Sequence, residues 1–174
     1  MQDESTSRET AERREPLLVD GAAATDADAP LWRAFAAGLV AAIAGAIAWM
    51  LIVIVSDYEV GIVAWAIGAL AGFAVLLATA GRRGPALQAV AVVAALIGIL
   101  LGKYLTFWWV VRDEAEQFGV ASDFGVLSSN TFDLFREELG TVFSWYDLLW
   151  VGLAVVTAWR IPAPEEPEGA PEPV

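Results

Sequence analysis

The sequence predicts an all-α fold, a four-helix transmembrane bundle with disordered termini and a short amphipathic helix in its outer loop. Hydrophobic residues make up 57% of the 174 residues, and the mean hydropathy is +0.57. An ordinary soluble domain is only about 45–50% apolar. The apolar residues are gathered into blocks long enough to cross a bilayer, which takes about 20 residues. The net charge of −12 lies almost wholly outside these blocks.

Four blocks of the sequence form the expected membrane domain, which covers residues 31–161. Each block is dominated by Ala, Val, Leu, Ile and Gly, and charged residues are few inside it. Pro30 precedes the first block, and proline is well placed at the start of a helix. The expected spans are 31–56, 59–80, 85–111 and 143–161.

The segments outside the spans are polar and differ in character. Residues 1–30 and 162–174 carry many charges or prolines and no apolar periodicity. Such composition buries too little apolar surface to offset the entropy of ordering, so both are expected to be disordered cytoplasmic tails. The acidic loop 112–142 should hold a helix over about 131–139, because Asn130 can cap it and Phe132, Phe135 and Leu139 share one face.

Basic residues near the span ends predict the orientation. Arg82 and Arg83 form a short turn between the second and third spans, and Arg33 and Arg160 fall on the same side. Short cytoplasmic loops are enriched in Lys and Arg. We therefore expect a multi-pass protein of the inner membrane with both termini cytoplasmic. Aromatic residues collect at the opposite interface, where amphipathic rings prefer to lie: Tyr58, Tyr104, Trp108, Trp109, Trp145 and Tyr146.

Composition also restricts the chemistry. The chain has no cysteine and no histidine, which excludes disulfides, thiolate catalysis, a histidine base and zinc sites of the usual Cys/His type. Strong acidity argues against binding to nucleic acid, which attracts Lys and Arg. We expect no catalytic residues, no metal and no cofactor, and therefore no enzyme.

Lys103 is the most informative single residue, because a lysine inside an apolar span costs about 2.5–3.5 kcal/mol at a helix centre. Counted from the Arg82–Arg83 turn, Glu59 and Lys103 differ in height by about three residues, roughly 4.5 Å. We predict a Lys103–Glu59 ion pair, with Asp57 or Asp147 as alternative partners. Glu59, Lys103 and Asp147 thus form a polar core, interpreted as a structural ion pair in preference to a proton or ion relay.

Asp147 has two interpretations of its own. Ser144 and Asp147 have the spacing of a capping box, in which the acidic side chain serves the start of the fourth helix. If that helix begins earlier, Asp147 is a buried acid that must pair with Lys103 or a tyrosine hydroxyl. Capping is the preferred interpretation.

Two GxxxG motifs mark the central helices. Glycines four residues apart leave a groove into which another helix can pack closely. Packing of the second and third helices against each other within one chain is preferred over homodimerisation through these faces. The helix-packing residues are Gly61, Gly68, Gly72, Gly98 and Gly102.

The chain resembles a loose group of uncharacterised bacterial four-span inner-membrane proteins over roughly residues 31–161. The resemblance is carried by Tyr58-Glu59-Val60-Gly61 with Ala64-Trp65 and Gly68, by Gly102-Lys103-Tyr104, and by Asp147-Leu148-Leu149-Trp150. It implies the four-span architecture and no particular activity. Some members look as though they carry an N-terminal zinc ribbon, which a chain without cysteine lacks.

Three functions compete on these observations. The first is a non-enzymatic scaffold or accessory subunit that packs against other helices in the lipid bilayer, as a homo-oligomer or with a membrane-protein partner. The second is a component of a small transporter or channel that uses Glu59, Lys103 and Asp147 as a polar core in the outer leaflet. The third, an intramembrane enzyme, has only carboxylates and tyrosines to work with and ranks last.

Overall fold

The computed structural model describes residues 31–56 and 61–164, and the all-α prediction is confirmed for them, since they contain no β-strand. A 3-10 turn at Ala121–Asp123 lies among the α-helices of these residues. The helices are α1 (Leu31–Ser56), α2 (Ile62–Ala78), α3 (Pro85–Gln117), α4 (Ser129–Glu137), α5 (Leu139–Val142) and α6 (Trp145–Arg160).

The helices α2 and α3 form the centre of the bundle. They pack against each other, and each of them also contacts α1 and α6, which flank the central pair. The shorter α4 and α5 connect α3 to α6, and α4 rests on α3. The long helices therefore make one bundle, with α4 and α5 at one end of it.

Two helices, α1 and α3, are long and apolar enough to cross a membrane. The helix α2 is apolar but has only 17 residues, and α6 has 16. At ~1.5 Å per residue they are roughly 25 Å long, slightly short of a hydrocarbon core of about 30 Å.

The helix bounds differ from the expected ones: α6 lies just inside the expected 143–161, α4 covers Ser129–Glu137 instead of 131–139, and three of the differences have a local reason. The helix α2 ends at Ala78, because Ala80 (φ 54°) and Gly81 (φ 79°) adopt the left-handed conformation that turns the chain. The helix α3 continues to Gln117, past the expected end at 111, and Arg112 pairs with Glu116 at 3.2 Å on this extension. The cap of α4 is Ser128 instead of Asn130, and its hydroxyl accepts the Thr131 N–H at 3.2 Å.

Small residues fill the interior of the bundle. One buried cluster, near the turn between α2 and α3, contains mostly alanines together with Val75 and Leu87. A second cluster, towards Lys103, contains Trp49, Ile67 and Ile99. Alanine brings helix axes close together, so the interior depends on backbone proximity more than on bulky side chains.

The outward faces of the four long helices are apolar, the reverse of a soluble bundle. Large side chains point away from the interior on all four helices, and at least half of the surface of each is exposed. Examples are Val40 and Leu51 of α1, Leu77 of α2, Leu100 of α3 and Leu149 of α6. Contiguous apolar surface of this extent marks a site of membrane or protein contact.

At the end of the bundle near Arg83, hydrogen bonds to main-chain carbonyls hold the end of α6 and residues 161–163, which follow it. The Arg83 guanidinium donates to the carbonyls of Ile161 and Ala163, both at 3.1 Å. The buried Gln88 amide donates to the Trp159 carbonyl at 2.9 Å. The Gly84 N–H donates to the Pro162 carbonyl at 3.0 Å. We call this region the Arg83 end.

Candidate functional site

The candidate site is built around Lys103, whose side chain is buried with 2% of its surface exposed. Its ammonium nitrogen lies 3.0 Å from Asp147 Oδ2 and donates a hydrogen bond to the Val142 carbonyl at 2.9 Å. The lysine comes from α3, whereas both acceptors belong to the corner between α5 and α6. Lys103 therefore fastens the start of α6 to α3, and we call this region the Lys103 end.

Aromatic rings surround the buried ammonium group. Lys103 Nζ lies 5.4 Å from the ring centroid of Phe143 and 5.9 Å from that of Trp49. Both distances are within the range of cation–π attraction, which strengthens when the cation is desolvated. The rings of α1 and of the α5–α6 corner thus stabilise the charge that α3 brings into the interior.

Asp147 performs both of the roles that its sequence position allowed. Its Oδ2 atom accepts the Ser144 N–H at 2.7 Å and the Ser144 hydroxyl at 3.0 Å, completing the capping box at the start of α6. The same oxygen is the one that contacts Lys103. The two interpretations do not exclude each other, because the start of α6 lies directly against Lys103.

Of the expected polar core, the structure brings Lys103 and Asp147 together. Glu59 and Asp57, the other acidic residues considered as partners, lie outside the described residues, and so does the predicted Glu59 pairing. Sequence reasoning missed the Val142 carbonyl and the Phe143 ring. A main-chain acceptor has no sequence signal, and Phe143 stood at the edge of the expected fourth span.

Two indole groups at this end are buried without a hydrogen-bond acceptor among the described residues. They are Nε1 of Trp49 and Nε1 of Trp150. A buried N–H without an acceptor is unfavourable by about 1–3 kcal/mol. Together with Lys103, these donors form a cluster of buried polar groups at the Lys103 end.

The glycines of α2 pack against α6, and the expected pairing of α2 with α3 through these faces is wrong for them. A Cβ atom on Gly68 would lie 2.5 Å from the carbonyl oxygen of Ala154, and one on Gly61 would overlap the indole of Trp150. Gly72 faces Ile161 and Ala158. The spacing of the glycines indicates a helix face without side chains, but it does not indicate which helix packs against that face.

The glycines of α3 pack mainly against α1. A Cβ atom on Gly98 would lie 2.8 Å from Ala42 Cβ, with the Ile67 side chain of α2 equally close. Gly102 faces the Trp49 ring at 3.3 Å. Both GxxxG motifs are thus occupied by helices of the same chain, which leaves them no room for a partner helix.

Comparisons of the chain with family models, curated proteins and solved structures find no match. The residues that hold the site therefore have to be interpreted from their own geometry. The buried ammonium group, held by a carboxylate, a carbonyl and two rings, joins α3 to the start of α6 and to α1.

Proposed function

We propose that this protein is an integral membrane protein with four spans that serves as a non-enzymatic scaffold or accessory subunit. The observation that carries the proposal is the distribution of polarity. The outward faces are apolar, and the lysine of α3 is turned inward onto an internal partner. Such an arrangement suits a lipid environment, where charged side chains face the bundle interior and pair.

The four-span placement draws support from the way the shorter helices are packed. The helices α1 and α3 have the length to cross a bilayer, and α2 and α6 lie alongside them in the same bundle. In the hydrocarbon region of a bilayer, every backbone N–H and C=O group needs a hydrogen-bond partner within the protein. A helix supplies these partners itself, so a short helix can lie beside a long one there. A bilayer thinned locally accommodates helices of 16 or 17 residues.

The scaffold role draws support from the contacts of the polar core. Lys103 and Asp147 hold the start of α6 against α3, which is a structural task. Since the glycine faces are filled from within the chain, partner helices would contact the outward faces, where Leu, Val, Ile and aromatic side chains predominate. Association there would rest on van der Waals packing in the lipid phase.

A transporter or channel component is the alternative, and one observation favours it. A buried lysine and two buried indole N–H groups, which have no acceptor among the described residues, form the kind of intramembrane polar cluster that marks ion or proton pathways. A chain with few spans would form such a pathway most readily as several copies.

Native mass spectrometry of the protein released gently from its own membranes separates the two functions. A stoichiometric second protein that persists in Lys103→Met supports the scaffold. A closed homo-oligomer without a second protein, with proteoliposome flux that Lys103→Met abolishes, would overturn it in favour of transport. Leu96→Met, on the outward face of the same helix, is the matched control for both measurements.

A further inference from the structure

A large apolar groove lies between α3 and α4. Its volume is about 620 Å³, within the roughly 300–1,000 Å³ typical of small-molecule sites. Ile97, Leu100, Leu101 and Tyr104 form its α3 wall, and Phe132 and Phe135 form its α4 wall. We propose that this groove binds an acyl chain of a membrane phospholipid, an inference that rests on the proposed placement in the bilayer.

The α4 wall is held in place, so the groove is a lasting feature of the fold. Phe135 is buried and packs edge-on against the rings of Tyr104 at 5.1 Å and Phe107 at 5.4 Å between centroids. The loop before α4 is tied down as well, because the Tyr104 hydroxyl donates to the Val126 carbonyl at 2.6 Å. The buried Thr131 hydroxyl donates to the Gly125 carbonyl at 3.0 Å.

Two of the three hydroxyl groups of the lining, those of Tyr104 and Ser128, are engaged within the chain, and the third, of Ser129, belongs to an exposed residue, which favours a largely apolar ligand. The Tyr104 hydroxyl bonds to the Val126 carbonyl, and the Ser128 hydroxyl bonds to Thr131. A polar ligand would lose its hydration along the apolar walls, where no hydrogen-bonding group replaces the lost water. A hydrocarbon chain has no polar group whose hydration would be lost, and it gains van der Waals contact with the apolar walls.

The position of the groove identifies the source of that hydrocarbon chain. Ile97 and Leu100 line the groove and are also exposed on the outward face of α3, next to the exposed Val93 and Leu96. The groove is thus continuous with the surface that would face lipid. From Ile97 to Tyr104 the helix rises about 10 Å, a distance that lies within one leaflet, where the surrounding medium is acyl chains.

The helix α4 is suited to lie along the boundary of that leaflet. Its apolar side chains, Phe132 and Phe135, line the groove, while Asp133, Arg136 and Glu137 lie at a separate, polar surface. A helix with one apolar and one charged face lies in the membrane interface with its apolar face towards the acyl chains. A lipid acyl chain inserted between α3 and α4 would fill the space that these two helices leave open.

Photolabelling tests the proposal with the full chain in vesicles of phosphatidylethanolamine that carry a diazirine on one acyl chain. Cross-linked residues are mapped by mass spectrometry after detergent washing, which removes loosely associated lipid. We expect one lipid per protein, cross-linked to groove residues such as Leu101 and Phe132. Leu100→Trp, which adds bulk inside the groove, should reduce this labelling at least fivefold. Leu96→Trp, one turn away on the outward face and outside the groove, should leave it unchanged.

The possible outcomes distinguish a failure of the lipid-site proposal from a failure of the membrane placement on which it depends. Labelling spread evenly over the outward faces and equal in both variants would overturn the groove proposal, as would cross-links from the groove to a second protein. Alkaline extraction of the same vesicles reports on membrane integration. A protein that is extracted would contradict the membrane placement itself, whereas one that resists extraction and shows no groove labelling contradicts the lipid site alone. Equal unfolding midpoints for the two variants exclude misfolding as the cause of reduced labelling.

Discussion

The two ends of α6 are attached to the bundle in different ways. At the Lys103 end, a buried ammonium group contacts the Asp147 carboxylate at 3.0 Å. At the Arg83 end, main-chain carbonyls of Trp159 and of residues 161–163 accept hydrogen bonds from Arg83, Gln88 and the Gly84 N–H. The first attachment centres on one buried charged group, which also contacts the Val142 carbonyl and two rings, and the second is distributed over several donors.

The difference determines how each end should respond to the loss of one group. Removing one partner of a buried ion pair leaves an uncompensated charge, which typically costs about 3–5 kcal/mol. Removing one of several hydrogen bonds typically costs about 0.5–1.5 kcal/mol. The Lys103 end should therefore be sensitive to single substitutions, and the Arg83 end tolerant of them.

The largest effect is expected for Asp147→Asn, which keeps an oxygen to accept the Ser144 N–H but removes the charge opposite Lys103. We expect the free energy of unfolding to fall by about 3 kcal/mol, as measured by unfolding in mixed SDS micelles followed by tryptophan fluorescence. Lys103→Met should cost less, because it leaves no buried cation and Asp147 retains its bonds to Ser144. The double variant should be more stable than Asp147→Asn alone. A double variant less stable than Asp147→Asn would show that the ion pair is not what holds this end.

The next largest loss of stability is expected for Gly68→Ala, at the contact between α2 and α6. Its new Cβ would lie 2.5 Å from the Ala154 carbonyl oxygen and 2.7 Å from Ala154 Cα. Backbone atoms cannot move aside singly, so α6 must shift away from α2, which we expect to cost about 1–3 kcal/mol. Gly152→Ala on α6 is the control, since apart from its own stretch of helix no atom lies within 4 Å of its added Cβ. Equal unfolding midpoints for the two variants would contradict close packing of α2 on α6.

At the Arg83 end, Gln88→Leu should have a smaller effect of about 1 kcal/mol. The substitution removes the bond to the Trp159 carbonyl and leaves those made by Arg83 and Gly84 in place. Gln117→Leu, at the exposed end of α3, is the matched control. If Gln88→Leu destabilised the protein as much as Asp147→Asn does, the contrast between the two ends would be lost.

The smallest effect is expected outside α6, from Tyr104→Phe. It removes only the bond to the Val126 carbonyl, so global stability should change by about 1 kcal/mol or less. Hydrogen exchange of residues 124–128 should quicken, while that of α6 should stay the same. Tyr146→Phe, whose side chain is 54% exposed, should alter neither. Faster exchange throughout α6 would mean that the loop before α4 supports the Lys103 end.

The sequence allowed the polar residues to be found but not all of their partners. Lys103 stood out because a single lysine interrupts an apolar block, and Ser144 with Asp147 stood out by capping-box spacing. The Val142 carbonyl could not be identified, because every residue carries the same acceptor. The heights of Glu59 and Lys103 above the Arg82–Arg83 turn follow from counting residues along two straight helices. Such a count carries no information on how α6 approaches α3.

The glycine faces show the same limit at the level of helices. Spacings of four and seven residues correctly indicate that one side of α2 is smooth from Gly61 to Gly72. They do not indicate that α6 covers it, because that choice depends on complementary small residues, Ala154 and Ala158, in a distant part of the chain. The groove had no sequence signal at all, since it is the space left between α3 and α4.

The central claim, that the bundle spans a membrane, is tested most directly by single-cysteine labelling, because the chain has no cysteine of its own. The substitutions are Ser7→Cys, Ala80→Cys, Ser129→Cys and Pro164→Cys. A membrane-impermeant maleimide is applied to right-side-out and to inverted vesicles. The account predicts that position 129 reacts only in right-side-out vesicles and that the other three react only in inverted ones. Reaction of positions 80 and 129 from the same side would contradict it.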